Sequence, residues 1–172
     1  FFKGSFDQKD VQETDTHYRN QDGKPDFQYR FVFRIQVSAA KEKDDFKFSL
    51  KCYDRDFLKK NDLIGEATIK LKKIINDCKM VKRPMCFDKP FHKELVANNE
   101  MGPLEFESDD KKCRRFWLDM KFKNSMSKNK KEKEESTRGR VKVQIDVLTA
   151  EQADANPVGK ARQEPNHSPM LP

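Results

Sequence analysis

The sequence predicts an all-β fold, an antiparallel β-sandwich, and three observations support this. Apolar and polar residues alternate in several runs that are separated by turn-forming residues, which is typical of strands in an antiparallel sheet. Helical signals are short, so the strands are expected to pack mainly on one another. A chain of 172 residues with fourteen Phe has enough apolar side chains for one domain with a sandwich core.

The first half of the chain carries the strongest strand signal. Residues 1–6 begin in mid-pattern and are interpreted as the end of a strand whose first part lies upstream, so we expect a piece of a longer protein. A polar connection follows, and residues 14–19 predict a short strand before a turn-rich loop at residues 20–26. Residues 27–37 then predict a long strand by strict alternation. Its apolar members are Phe27, Tyr29, Phe31, Phe33, Ile35 and Val37.

The middle of the chain predicts two further strands and a short helix. A charged connection at residues 38–45 leads to a strand with one apolar face, and a second alternating run follows residue 65. Their apolar residues are Phe46, Phe48, Leu50 and Cys52, then Ala67, Ile69 and Leu71. Residues 72–81 predict one or two helical turns, and three prolines predict an irregular region at residues 83–112.

The last part of the chain predicts two strands around a charged loop. Apolar residues alternate over residues 116–123 and again over residues 141–147. Between them, residues 125–138 are rich in Lys, Glu and Ser, which predicts a flexible loop. Thr149 and Gln152 form a capping-box pattern for a short helix that ends near residue 155, and a Pro-bearing linker follows.

An acidic loop, residues 54–62, joins the two middle strands and carries the candidate binding chemistry. Asp54 and Asp56 lie two apart at a strand end, so their side chains leave on the same side, and Asp62 returns to that side when the loop folds back. Clustered carboxylates repel one another without a cation, and calcium prefers such oxygen ligands. We therefore expect calcium ligands at Asp54, Asp56 and Asp62, with the Arg55 backbone carbonyl as a fourth. The alternative is that these residues are ordinary turn formers.

Phe57 and Leu58 form an apolar tip in the middle of this acidic loop. Two apolar residues between charged neighbours are poor turn chemistry, but they suit a loop that enters lipid. Lys59 and Lys60 follow and would attract anionic headgroups, so residues 57–60 are the candidate membrane-binding residues. The alternative places Phe57 inside the sandwich. A second candidate contact for anionic lipid, which an ordinary solvated surface explains equally well, consists of Lys70, Lys72 and Lys73.

Composition narrows the function classes. The chain has 36 basic and 29 acidic residues and a formal net charge of +7, which indicates an anionic partner such as a membrane surface or nucleic acid. Nucleic-acid binding is disfavoured because the aromatic residues fall on the predicted core face. Catalysis is disfavoured because there is no Ser-His-Asp or Cys-His arrangement and no Gly-rich phosphate loop, and His17 and Tyr18 are interpreted as locally packed strand residues.

The cysteines and the hydropathy pattern bear on the cellular setting. Four cysteines lie at spacings that match no zinc motif, and nothing marks secretion, so we expect reduced thiols. No apolar run is long enough to cross a bilayer, so we expect no membrane span within these residues.

Several motifs resemble one family. The pattern Asp54-x-Asp56 followed by Asp62-x-x-Gly65 resembles the third calcium-binding loop of a C2 domain. Residues 14–19, then Gly23 and residues 27–33, resemble the T-D-x-H-Y-R…G…F-N-W-R-F-x-F segment of ferlins, in the last C2 domain before their transmembrane anchor. The C-terminal residues 148–151, 156–159 and 161–166 resemble the exit of that domain, most closely in the otoferlin branch of the family.

The resemblance implies a C2 sandwich with ferlin-type topology over residues 1–148, and a short helix and linker toward a membrane anchor over residues 149–172. In the family a first strand and an acidic first loop precede the segment that begins at Phe1, so further calcium ligands would lie upstream. The parent protein would be a single-pass, tail-anchored protein with several C2 domains on the cytoplasmic face of a vesicle or the plasma membrane. Its implied roles are calcium-triggered vesicle fusion, exocytosis and membrane repair.

The sequence therefore predicts a calcium-dependent module that binds anionic phospholipid. The resemblance adds membrane-fusion proteins and neighbouring C2 domains as further partners. The alternative is a C2 domain that docks membrane-fusion machinery without calcium. In that case, replacement of the loop aspartates would leave binding unchanged.

Overall fold

A computed structural model of the chain describes residues 1–18, 23–37, 46–123 and 135–155. The expected charged connection at 38–45, most of the Lys/Glu loop and the linker after residue 155 lie outside the described residues. The elements in chain order are β1 Phe2–Phe6, β2 Lys9–Glu13, β3 Lys47–Asp54, β4 Asp62–Lys70, α1 Lys72–Val81, β5 Met85–Cys86, α2 Lys89–Ala97, β6 Glu105–Phe106, β7 Arg115–Lys123, β8 Glu135–Gln144, β9 Asp146–Val147 and α3 Ala150–Ala155.

The predicted all-β antiparallel fold is confirmed. Seven strands form the main sheet in the order β2-β1-β3-β4-β7-β6, with β8 also paired to β7. Every described pairing in it is antiparallel, and β3 and β4 form a hairpin of eight residue pairs. A second sheet contains only β5 and β9. Because β3 and β4 lie in the middle of the main sheet, the loop between them is supported from both sides.

The core lies between the inner face of the main sheet and a second layer. That layer is made of α1, α2, the β5–β9 sheet and residues 27–37. Phe46, Phe87, Phe116 and Ile74 are the large side chains at the centre of this core, each below 2% exposure. Phe87 contacts Phe116 with ring centroids 4.9 Å apart, which joins the second layer to the middle of the main sheet.

Residues 27–37 pack as predicted but do not form the predicted strand. Phe33, Ile35 and Val37 pack against the core, and the Phe33 ring contacts Phe48 at 5.9 Å. Within the described part of the chain, however, this segment has one isolated bridge at Tyr29 and no ladder. The Gln12 side chain supplies a substitute for one ladder rung, since its amide accepts from Val32 N at 2.9 Å and donates to Val32 O.

Three strand boundaries also differ from the predictions. Residues 14–18 are not a strand, and the polar residues before them form β2 because they pair along β1. Residues 135–138, which were predicted to be loop, belong to β8 through its register with β7. The predicted strand at 141–147 is interrupted at Ile145, where the chain passes from the main sheet to the β5–β9 sheet.

The helices follow their capping residues. The predicted capping box is confirmed, because Thr149 N donates to Gln152 Oε1 at 3.1 Å and Gln152 N donates to Thr149 Oγ1 at 3.4 Å. The predicted turns at residues 72–81 form the ten-residue helix α1. Helix α2 was not predicted, although Asp88 caps it by accepting from Phe91 N at 3.0 Å and Pro90 lies in its first turn.

Candidate functional site

The acidic loop is the connection of the β3–β4 hairpin. The hairpin ladder runs from the Lys47–Lys70 pair to the Asp54–Asp62 pair, and a bulge lies beside Tyr53. Gly65 lies close to β7 at that irregular end, since a Cβ there would lie 3.1 Å from the Met120 Cβ atom and would need a small shift of β7. Asp54 and Asp62 are both exposed, so the fold places two carboxylates side by side at the root of the loop.

The third predicted ligand does not join them. Asp56 turns its carboxylate to its own loop, where Oδ1 accepts a hydrogen bond from Leu58 N at 3.0 Å. Asn61 closes the same loop by accepting from Asp56 N at 3.2 Å. In the described residues no three acidic, His or Cys side chains converge in a way that could hold a metal ion. The fold thus brings Asp54 and Asp62 together and places Asp56 apart from them as a turn former, and the calcium-ligand role of all three stays a prediction.

The apolar tip is exposed. Phe57 is 80% and Leu58 94% exposed, and Lys59 and Lys60 beside them are exposed too. The alternative in which Phe57 folds into the sandwich is therefore wrong. One ring contact remains, because Tyr18 stacks on Phe57 with centroids 5.9 Å apart.

Arg55 ties the loop to the neighbouring strands. Its guanidinium forms an ion pair with Glu13 on β2 and lies 4.4 Å from the centre of the Phe1 ring. Phe1 and Tyr53 are themselves stacked at 5.5 Å and exchange two backbone hydrogen bonds, from Phe1 N at 3.0 Å and from Tyr53 N at 2.9 Å. The positive side chain is therefore directed to β2, and the predicted role of the Arg55 carbonyl as a ligand stays a prediction.

The entrance of the predicted turn-rich loop lies at the same end of the sheet. Tyr18 precedes that loop and contacts the apolar tip, while Phe27 follows it and packs on His17 at 4.2 Å. His17 and Tyr18 pack locally, as expected, although not in a strand. Residues 19–22 of this loop lie outside the described part of the chain.

The second lysine group lies at the opposite end of the sheet. Strand β4 runs from Asp62 at the root of the loop to Lys70, and its length separates these two residues by about 26 Å at 3.3 Å per residue. Lys73 forms ion pairs with Asp77 at 2.8 Å and Glu94 at 3.1 Å, and the hydrogen bond to Asp77 is the main reason that its pKa is raised. Lys70 and Lys72 stay a predicted lipid contact, but one that is separate from the tip.

Basic side chains on the outer face of the main sheet are paired with acids. Lys142 lies 2.6 Å from Glu107 and holds the pKa of that carboxyl below its usual value, and Arg140 lies 2.7 Å from Glu105. Lys51 pairs with Glu66 in the same way, at 3.6 Å. The outer face of the main sheet is therefore not uniformly basic, although the chain has a net positive charge.

Two contacts of the acidic loop were not predictable from local patterns. The partners Glu13 and Tyr18 lie far from the acidic loop in sequence, and only the strand order β2-β1-β3-β4 brings them to it. Either contact could be anticipated only by knowing that β1 pairs with β3. No helix among the described residues has the length and apolar character needed to cross a bilayer.

Comparison with known proteins relates the chain to C2 domains and to ferlins. The C2 domain family matches residues 1–84. The chain is similar to myoferlin of Homo sapiens, with 24% identity over 182 residues that cover 95% of this chain. It is also similar to Ferlin 1 of Toxoplasma gondii, 25% identical over 94% of the chain, and to Ferlin 2 of Tetrahymena thermophila, 24% identical over 94%. The chain spans 8%, 9% and 7% of the lengths of these three relatives. No solved structure matches it.

Proposed function

We propose that this chain, which is a C2 domain of the ferlin family, binds anionic phospholipid membranes through the apolar tip of its β3–β4 loop. The observation that carries the proposal is the exposure of Phe57 and Leu58, at 80% and 94%. Large apolar side chains in this state mark an interaction surface when they lie together at a loop end. Lys59 and Lys60 directly beside them match the charge of an anionic lipid surface.

The energies support reversible binding. Burial of Phe57 and Leu58 in lipid contributes at most about 1.5–3 kcal/mol each. Lys59 and Lys60 add about 1 kcal/mol each near an anionic surface. The sum is modest once the cost of immobilising the domain is subtracted, so small changes in local charge decide whether the domain stays bound.

Calcium is the finer part of the proposal. Three carboxylates on one loop have the donor chemistry for this cation, and Asp54 with Asp62 are the two that the fold already brings together. Asp56 accepts from Leu58 N through Oδ1, so it would join them either through Oδ2 or after this hydrogen bond opens. Bound calcium would supply positive charge that offsets the repulsion between these carboxylates and an anionic leaflet.

Co-sedimentation with vesicles tests the proposal. The chain is mixed with phosphatidylcholine vesicles or with vesicles that also contain phosphatidylserine, each with calcium and with a chelator. We expect binding to the anionic vesicles, stronger with calcium, and little binding to neutral vesicles. Equal and negligible binding to both vesicle types in every condition would overturn the proposal.

A second candidate function, docking of a protein partner without calcium, is favoured by one observation. Asp56 is held as a turn residue, so the three loop carboxylates do not converge. Isothermal titration with calcium discriminates the two. Calcium binding by the unmodified chain that is lost in the double variant Asp54→Asn, Asp62→Asn favours the calcium-dependent function. No heat of calcium binding in either the unmodified chain or the variant favours docking without calcium.

The wider setting is proposed from kinship with the ferlins. In a longer parent protein this domain would act at the cytoplasmic face of a vesicle or the plasma membrane, in vesicle fusion or membrane repair. Neighbouring C2 domains and membrane-fusion proteins would be its partners. Expression of the parent protein with and without the tip residues, followed by imaging of its membrane distribution, would test this setting.

A further inference from the structure

A tyrosine from outside the acidic loop completes the apolar tip. The rings of Tyr18 and Phe57 are nearly parallel, with planes 11° apart and centroids 5.9 Å apart. Phe57 is 80% exposed in spite of this contact, so the stack covers part of one ring face and leaves the rest to solvent. Tyr18 itself is partly exposed. Leu58, the residue after Phe57, is exposed beside this stack.

The segment that carries Tyr18 is held in place by its own contacts. Phe2 N donates to Thr14 Oγ1 at 2.9 Å, and Thr14 N donates to Phe2 O at 2.9 Å. Asp15 is only 6% exposed, and its Oδ2 lies 3.5 Å from His17 Nε2. Tyr18 therefore leaves an anchored stretch of chain, and its ring position is set by the fold.

The Phe57 side of the stack is anchored as well. Leu58 N donates to Asp56 Oδ1 and Asp56 N donates to Asn61 Oδ1, which closes the loop around the tip. Arg55 adds its ion pair with Glu13 at the base of the loop. Both rings are thus presented by supports that exist before any ligand arrives, which reduces the ordering cost of binding.

We propose that Tyr18 is a third membrane-contacting residue, whose ring lies at headgroup level beside Phe57 when the tip meets an anionic phospholipid surface. The inference rests on the proposed function and adds a residue to its site. Tyrosine has an apolar ring and a polar hydroxyl, and it is enriched at membrane–water interfaces.

A lipid surface fits this site better than a peptide does. Phe57 and Leu58 lie at the end of a hairpin loop, the most protruding kind of position on a sheet, and they are too exposed to line a groove. Lys59 and Lys60 follow directly in the chain and are exposed, which matches a surface of negative headgroups.

A tryptophan reporter tests the depth of this position. Trp117 is the single tryptophan of the chain, so the double variant Tyr18→Trp, Trp117→Phe has one reporter, at position 18. It is mixed with phosphatidylcholine–phosphatidylserine vesicles that carry doxyl quenchers either near the headgroup or near the end of the acyl chain. We expect a blue shift of the emission, and stronger quenching by the shallow quencher than by the deep one.

The unmodified chain is the matched control. Glu66 pairs with Lys121 in the antiparallel β4–β7 ladder, so Trp117 lies four residues further along, level with Lys70 and far from the tip. When the domain binds through the tip, the fluorescence of Trp117 is expected to be unquenched by either vesicle. Trp117 has its own partners there, since Arg140 and Lys142 lie 5.4 Å and 5.5 Å from the ring.

Two substitutions give an independent readout by co-sedimentation. Tyr18→Ala is expected to weaken vesicle binding by about threefold to tenfold, since an interfacial aromatic contact is lost. Tyr18→Phe keeps the ring and is expected to stay within about twofold of the unmodified chain. Circular dichroism of both variants checks that the domain remains folded.

The outcomes separate this inference from the proposed function. Vesicle binding with an unquenched reporter at position 18 would overturn the inference and leave the proposed function standing. No binding of the unmodified chain to anionic vesicles would overturn both. Binding with shallow quenching at position 18, and with weaker binding of Tyr18→Ala, supports both.

Discussion

Asp54 and Asp62 face each other as the last residue pair of the β3–β4 ladder, directly below the apolar tip. Two like charges in this relationship destabilise a sheet. The fold therefore places an electrostatic cost beside the exposed Phe57 and Leu58, where a bound cation would remove it. This juxtaposition connects the acidic loop to the proposed membrane function.

Neutralising one of these carboxylates gives the first prediction. In the absence of calcium, Asp62→Asn is expected to raise the free energy of unfolding by about 0.2–1 kcal/mol, because a like-charge cross-strand pair is removed. Excess calcium is expected to raise the free energy of unfolding of this variant by less than it raises that of the unmodified chain. Chemical denaturation with chelator and with calcium measures both effects.

Asp109→Asn is the control for that experiment, since its side chain is fully exposed, lies outside the loop and loses only a surface ion pair with Lys89. It is expected to change the free energy of unfolding by less than about 0.5 kcal/mol in either condition. A loss of stability in Asp62→Asn without calcium would contradict the assigned repulsion.

The anchor of the loop gives the second prediction. Arg55→Ala removes the ion pair with Glu13 and the contact with the Phe1 ring, and it is expected to lower the free energy of unfolding by about 1–2 kcal/mol. Arg34→Ala is the control, because its pair with Asp154 is far more exposed. Equal effects of the two substitutions in a denaturation series would show that Arg55 is not an anchor.

The contact between residues 27–37 and β1 gives the third prediction. A Cβ atom at Gly4 would lie 2.7 Å from Cδ1 and 2.8 Å from Cε1 of the Phe31 ring. Gly4→Ala is therefore expected to displace this segment and to cost about 1–3 kcal/mol, as overpacking does elsewhere. Thermal unfolding of Gly4→Ala is compared with Gly102→Ala, where nothing lies within 4 Å. A silent Gly4→Ala would mean that the Phe31 ring does not lie on β1.

The cysteines give the fourth prediction. All four are free thiols, and hydrogen bonding with Ser108 lowers the pKa of Cys113, whereas burial raises the pKa of Cys78. A lowered pKa means more thiolate at a given pH, so Cys113 is expected to be alkylated first and Cys78 last. Mass spectrometry after brief iodoacetamide treatment at neutral and mildly alkaline pH gives the order. Faster labelling of Cys78 would contradict the burial that the fold assigns to it.

Sequence reasoning succeeded where a local pattern determines a local structure. The capping box of Thr149 and Gln152 formed as predicted. The alternation in residues 27–37 correctly identified side chains such as Phe33 that pack on the core. The alternation could not show whether this segment pairs with another strand, because pairing depends on residues that are distant in sequence.

The candidate site was predictable in part for the same reason. The exposure of Phe57 and Leu58 was expected from two apolar residues among charges. The position of the Asp56 side chain was not predictable, because an aspartate can either share a site with other carboxylates or bond to the backbone of its own loop. Here its carboxylate accepts from Leu58 N. The contact of Tyr18 with Phe57 depends on tertiary structure, so sequence spacing carried no signal for it.

The most direct test of the membrane function is a co-sedimentation measurement on the tip. In Phe57→Ala, Leu58→Ala, binding to phosphatidylserine-containing vesicles is expected to fall at least about tenfold, since two apolar anchors are lost. The free energy of unfolding is expected to change by less than about 0.5 kcal/mol, because both side chains are exposed. Met80→Ala, which removes an 80% exposed side chain on α1, is expected to bind as the unmodified chain does. Unchanged vesicle binding by the double variant would contradict the account.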